Sequence, residues 1–255
     1  MSSTDARDQF GRAAESYVTS AWHNQPDALK ALAHRVNQVG GRVADIGTGT
    51  GHTAFAFAEL AEIVYAVDIT PEMLQVVARE SAKLGLTNVE CVLANADSLP
   101  FENGFLDGIT CRVAAHHFHS VTDFVSECRR TVRPGGWMLL VDTVGAEIEA
   151  DRVAVDHIER LRDPSHICNH KISEWVGYMS DGFEVMWQES QPKPLRLQDW
   201  MDRMRVPEAE QENIRNLILE SQGGVRDYLS PRVEDGLETF NLLEATIFAR
   251  RKTAD

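Results

Sequence analysis

Val43-Ala44-Asp45-Ile46-Gly47-Thr48-Gly49-Thr50-Gly51-His52 decides how the rest of this chain is read. An apolar run reaches an acidic residue, three glycines follow at alternate positions, and a helix is expected from about Thr53. In α/β proteins, a strand that meets a glycine-rich turn and feeds a helix brings backbone N–H groups close to a ligand. Glycine permits positive φ there and removes the Cβ atoms that would hold a ligand off.

The pattern argues about which ligand. A dinucleotide fingerprint has glycine at its third conserved position, where this chain has His52. Asp45 would repel a pyrophosphate and attract an ammonium group. A second acid, Asp68, ends the next apolar run, Ile63-Val64-Tyr65-Ala66-Val67. It lies about 20 residues beyond the loop, where a carboxylate accepts both hydroxyls of a ribose. An ammonium site, a close-approach loop and a ribose clamp describe S-adenosylmethionine better than NAD.

With these residues in place, the chain resembles the class I S-adenosylmethionine-dependent methyltransferases. Four successive motifs carry the likeness: Asp45 to Gly51, Asp68, Ala96-Asp97-Ser98-Leu99-Pro100-Phe101 and Arg133-Pro134-Gly135-Gly136. The branch it is most similar to is that of the ubiquinone/menaquinone-biosynthesis methyltransferases, over roughly residues 10–145. The resemblance implies that Asp45, Gly47, Thr48, Gly49 and Gly51 hold the methionine end and that Asp68, with Ile69, holds the ribose. It places Met73 against the adenine, Ala96 at the ring edge and Asp97, beside Ser98, on the amino group. Arg112 and Tyr17 are expected at the cofactor too. Met73 also reads as a core methionine, and Asp97 as a cap on its turn. S-adenosylhomocysteine is the product the resemblance implies, and no metal is expected.

Composition narrows the partner class. A 255-residue chain that is 43% hydrophobic and 25% charged builds a globular core. A formal net charge of −14 argues against a nucleic-acid acceptor, which needs a basic surface. Cys91, Cys111, Cys128 and Cys168 form no C-x-x-C pair and read as reduced, mostly buried thiols. The polar start Met1-Ser2-Ser3-Thr4-Asp5 has no apolar signal region, and no run is long enough to span a bilayer. A cytoplasmic protein with a small-molecule acceptor and no stable membrane insertion is the expectation. Oligomeric state is not legible.

Apolar periodicity over Asp8 to Trp22 predicts an N-terminal helix, either a lid (8–25) bringing Tyr17 and Trp22 to the ligands or a packed structural helix. A helix over Ala28 to Val39 precedes the first strand, and Thr70-Pro71-Glu72 starts another with Thr70 as its cap. Strands are expected at 63–68, 89–93, 108–113, 137–141, 183–189 and 244–250, with Pro134-Gly135-Gly136 as a turn. The fold class is a single α/β domain (1–255) with a doubly wound, mostly parallel seven-stranded sheet. The cofactor core spans 40–145. The resemblance puts the last strand antiparallel at the sheet edge. Segments 145–180 and 191–235 exceed the core fold and are expected to build the acceptor site.

Methyl transfer needs alignment above all, and a general base only where the acceptor is not already anionic. Ala115-His116-His117-Phe118-His119 follows the fourth strand. No acid or thiol follows it at ligand spacing, so a metal reading is set aside. His117, with His116, is the candidate base, against a pocket-lining role. Further along, His157, Arg160, His166 and Trp200 are candidate acceptor contacts, against a solvated helix face. A lone Cys168 does not support arsenic chemistry. Arg112-Val113 stands where quinone-ring methyltransferases carry an Arg-Asn pair, which weakens a quinone C-methyltransferase and favours methylation of O, N or C in a small organic acceptor. A cofactor-binding protein of this fold that does not methylate remains the rival from another class; a nicotinamide dehydrogenase is disfavoured by Asp45 and His52.

Overall fold

The computed structural model describes residues 26–38 and 40–253. The expected lid helix over 8–25, with Tyr17 and Trp22, lies outside the described residues. So does Val39, the last residue of the helix expected over 28–39.

Pro26 opens α1 (Pro26–Val36), consistent with its fixed φ at a first helical turn. Short apolar runs then alternate with amphipathic stretches, giving β1 (Arg42–Ile46), α2 (His52–Ala58), β2 (Ile63–Asp68), α3 (Pro71–Lys83) and β3 (Val89–Leu93). They continue through β4 (Leu106–Arg112), a 3₁₀ turn at Ala115–His117, α4 (Val121–Thr131) and β5 (Val132–Thr143). Next come α5 (Glu149–Arg162), α6 (Ile172–Met179), β6 (Phe183–Arg196), α7 (Leu197–Arg203), α8 (Glu208–Leu219), α9 (Gly223–Leu229), β7 (Arg232–Glu234) and β8 (Leu237–Arg251).

The sheet order is β3-β2-β1-β4-β5-β8-β6, with β7 paired to β8 outside that path. β1 to β5 run parallel; β8 is antiparallel to both β5 and β6. Two expectations need correcting. The last strand is not at the edge: β8 lies between β5 and β6, because β6 takes the edge and β8 returns between them. Pro134-Gly135-Gly136 is no separate turn either. It is an irregularity inside β5, where pairing with β4 jumps from Leu106↔Val132 to Gly108↔Trp137.

Alternation along the strands sends side chains to two cores. Ile46, Ile109, Met138 and Phe124 pack on one face, with Trp175 and Met179 of α6. Val43, Leu139 and Trp137 pack on the other, against Phe57 of α2 and Val77 of α3. β6 and β8 stay paired from Phe183↔Arg251 as far as Arg196↔Thr239, well beyond the span of β8 opposite β5. Their extension carries a third core of Trp200, Met201, Ile214 and Phe240, joined by Val155 and Ile158 of α5. The segment 191–235 therefore includes part of the sheet, not an insertion alone. Among the described residues, no helix is long and apolar enough to cross a membrane.

Gly108 shows how tightly β4 and β5 meet. A Cβ there would lie 2.0 Å from the Trp137 ring, itself 3% exposed. Gly108→Ala should cost ~1–3 kcal/mol through overpacking, read as a lower urea midpoint with an unchanged slope.

Candidate functional site

β1 ends in Asp45, which is 2% exposed and bonded on both oxygens. Thr48 Oγ1 donates to Oδ2 at 2.7 Å, and Thr110 Oγ1, from the paired position on β4, donates to Oδ1 at 2.7 Å. Burial pushes this carboxyl up to about 6, opposed by the two threonines, Arg112 and the Ala54 N–H at the start of α2. Asp45 thus sits beneath the glycine loop and ties it to β4. It does not line the cavity, which corrects the expectation of a direct ammonium contact.

Asp68 at the end of β2 has the other geometry. Its Oδ2 accepts from the Gly49 N–H at 2.8 Å and its Oδ1 from the Thr70 N–H at 2.9 Å. Burial raises this carboxyl, and those backbone donors oppose the rise. The loop is held by both acids, one from below and one from the side. Thr70 precedes α3 as expected, but its side chain makes no cap bond.

A cavity of about 160 Å³ opens at the strand ends. Of the residues expected at a cofactor, Gly47, Thr48, Gly49, Asp68, Ile69, Met73, Ala96, Asp97 and Arg112 line it. Gly51, Ser98 and Asp45 are not among the residues that line it. At Gly49, φ is +53° and an added Cβ would meet no atom within 4 Å, so a side chain there would occupy the cavity itself. Its lining carries two carboxylates, Asp68 and Asp97, together with Arg112, His117, Phe118 and His119. Arg112 Nε donates to Thr53 Oγ1 at 2.9 Å.

The histidine turn is anchored from behind. His116 Nδ1 lies 2.6 Å from Asp142 Oδ1, and its backbone N–H donates to Asp142 Oδ2 at 3.1 Å. Burial disfavours charge on His116, but the Asp142 carboxylate outweighs it and raises the imidazole. The converse holds for Asp142: burial raises it, and His116 brings it below the usual range. His117 lines the cavity, its ring centroid 4.1 Å from that of His116. Burial and the neighbouring His116 push His117 down to about 3. It is therefore neutral at physiological pH. His116 itself does not line the cavity.

The four acceptor candidates are not brought together, and none lines this cavity. His157 and Arg160 are exposed on α5, with Arg160 Nη1 donating to the Ile167 carbonyl at 3.2 Å. His166 is 3% exposed, with Nε2 2.8 Å from Asp156 Oδ1. Trp200 is 3% exposed in the third core, edge-on to Phe240 under the Arg162 guanidinium. An alternating or amphipathic pattern identifies an aromatic as interior but not which interior it joins. Sequence reasoning missed Asp142, although an acid at the C-terminal end of a parallel strand was a usable signal. Ser165, in the loop after α5, reaches His117. All four cysteines are free, and Cys91 is exposed where a buried thiol was expected. Among the described residues, no three His, Cys, Asp or Glu side chains are placed to hold a metal ion.

Comparison with known proteins agrees with this geometry. Residues 44–140 match the family described as the methyltransferase domain. The chain is 36% identical over 188 residues to the methyltransferase YcgJ of Bacillus subtilis, covering 73% of this chain and 74% of that one. The crystal structure of YcgJ superposes with a TM-score of 0.83 at 30% identity, covering 89% of this chain and 99% of that chain. A ubiquinone biosynthesis O-methyltransferase of Xanthomonas axonopodis pv. citri is 28% identical over 139 residues, 53% of this chain and 58% of its own length. The fold and the site define a class I methyltransferase, and the chain belongs to that family.

The raised carboxyl of Asp45 gives a stability test. Because its native value is raised above the unfolded one, its contribution is fully present below the unfolded value, near pH 4, and is lost as pH rises through about 6. Asp45→Asn, whose amide can still bond both threonine hydroxyls, should be about 1–3 kcal/mol more stable than wild type at pH 8. The difference should vanish by pH 4, as read by urea unfolding at both.

Proposed function

We propose that this protein transfers a methyl group from S-adenosylmethionine to an oxygen, nitrogen or carbon of a small organic acceptor, leaving S-adenosylhomocysteine. One observation carries the reading: the Asp68 carboxylate, at the cavity wall, is bonded to the N–H of Gly49, whose missing Cβ leaves the cavity open. A nucleoside fits this arrangement, since a carboxylate at the cavity wall is an acceptor for ribose hydroxyls. Asp97, with the backbone of Ala96, would meet the adenine edge, and Met73 would pack on its face. The glycine loop and Arg112 would take the amino-acid end. When bound, the cofactor supplies a methyl carbon activated by its sulfonium, whose C–S electron pair stays on sulfur as the acceptor bond forms.

The chain's own contribution is alignment and proton removal. Val113, Ala114 and Phe118 line the cavity beside His117, whose ring is held at Nδ1 by Ser165. As a neutral imidazole it would take the acceptor's proton while the new bond forms. A quinone-related acceptor is the second reading, favoured by the likeness to a ubiquinone biosynthesis O-methyltransferase. We place the protein in the cytoplasm on its sequence.

Calorimetric titration with S-adenosylmethionine, S-adenosylhomocysteine and NAD tests the reading directly. Micromolar binding of the first two and none of NAD is expected; NAD binding alone would overturn it. Asp68→Ala should weaken S-adenosylmethionine by ~1–3 kcal/mol, the cost of leaving buried polar groups unpaired. With an acceptor in hand, His117→Ala should lower kcat by ~10²-fold or more. A rate within a few-fold of wild type would leave alignment as the whole mechanism.

A further inference from the structure

Two hydrogen-bond partners of His117 Nδ1 come from one residue in the loop after α5. The Ser165 carbonyl oxygen lies 3.1 Å away and the Ser165 hydroxyl 3.2 Å away. A carbonyl can only accept. The hydroxyl has a single proton, and that proton is already committed. Ser165 Oγ donates to Asp163 Oδ1 at 2.6 Å, and the Ser165 N–H donates to the same oxygen at 2.9 Å. Asp163 is 3% exposed; burial raises it, yet His117, Ser165 and Arg162 bring it below the usual carboxylate range. It is therefore ionised and accepts only.

Ser165 Oγ thus turns a lone pair, not a proton, toward His117. With two acceptors facing it, Nδ1 must carry the imidazole hydrogen, and Nε2 is the basic nitrogen. We propose that Asp163, acting through Ser165, is the positioning residue of His117. It fixes the Nδ1–H tautomer and so makes Nε2 the atom that takes the acceptor's proton.

The groups around the pair are consistent with this assignment. His116, held by Asp142 of β5, lies on one side of His117, and His166 approaches edge-on with ring centroids 6.5 Å apart. Neither offers His117 a carboxylate of its own, since Asp142 is bonded to His116 and Asp156 to His166. Asp163 is the carboxylate linked to His117, and the link runs through one hydroxyl. It also steadies the imidazolium that forms when Nε2 gains a proton.

The proposal rests on His117 being the base, but its test needs neither acceptor nor cofactor. The full chain labelled with ¹⁵N-histidine would be read by long-range ¹H–¹⁵N correlation at neutral pH, with His117 assigned by its loss in His117→Ala. Wild type should show the Nδ1–H pattern at His117. Asp163→Ala, which removes the acceptor and frees the serine proton to turn toward Nδ1, should bring up the Nε2–H tautomer from below detection. His166, bonded to Asp156, should not move. Asp163→Leu, which removes the same acceptor, is read in the same way and stands in if Asp163→Ala does not fold. An Nε2–H pattern in wild type, or an unmixed Nδ1–H pattern in the variants, overturns the proposal. A failed S-adenosylmethionine titration would instead remove the proposed function and leave these spectra interpretable.

Discussion

The buried carboxylate of Asp45 is the constraint on which the site depends. A charge removed from water is tolerated only when its lone pairs are met. Here a loop threonine, a threonine of the neighbouring strand and the first turn of α2 meet them. The bonds that satisfy the acid also set the path of the Gly47–Gly51 loop. Asp68 then takes the Gly49 N–H from the side, so the loop is fixed before any ligand arrives. The stability given up at neutral pH to keep Asp45 charged is the kind of cost that active-site architecture imposes.

A second polar assembly locks the histidine turn to the rest of the molecule. The His116 carbonyl accepts from the Ile167 N–H at 2.9 Å and the Cys168 N–H at 3.2 Å, which fastens the loop after α5 onto the histidine turn. α5 turns Asp156 and Glu159 toward the interior, and Asp163 just past its end is buried with them, all less than a tenth exposed. Asp156 gathers the His166 ring, the Asn169 N–H and Arg152. Each half of this assembly is costly unless the other is present. That mutual dependence gives the histidine turn one conformation, in a place where hydrophobic packing alone would tolerate several.

Much of this was legible in the sequence. The strands β1 to β4 and the helices between them follow from apolar runs broken by Gly, Asp and Pro, and Asp68 stood out because it ended such a run. The glycine loop declared close approach to a ligand. What misled was direction. Asp45 read as a ligand-facing acid, and nothing local showed otherwise, because the deciding partner, Thr110, is 65 residues away. Trp200 and His166 read as acceptor contacts and both are buried instead, since local spacing reports a face and not the neighbour it meets.

By itself, then, the sequence determined the order of the core elements, the parallel doubly wound sheet and the place along it where the cavity opens. These depend on periodicity and turn chemistry, which act over a few residues. Only the tertiary structure decided that β8 runs inside the sheet, that Asp45 looks down and Asp68 outward, and that Ser165 and Asp163 stand behind His117. Each of those depends on a hydrogen bond or strand pairing between distant segments, and such contacts leave no local periodic trace.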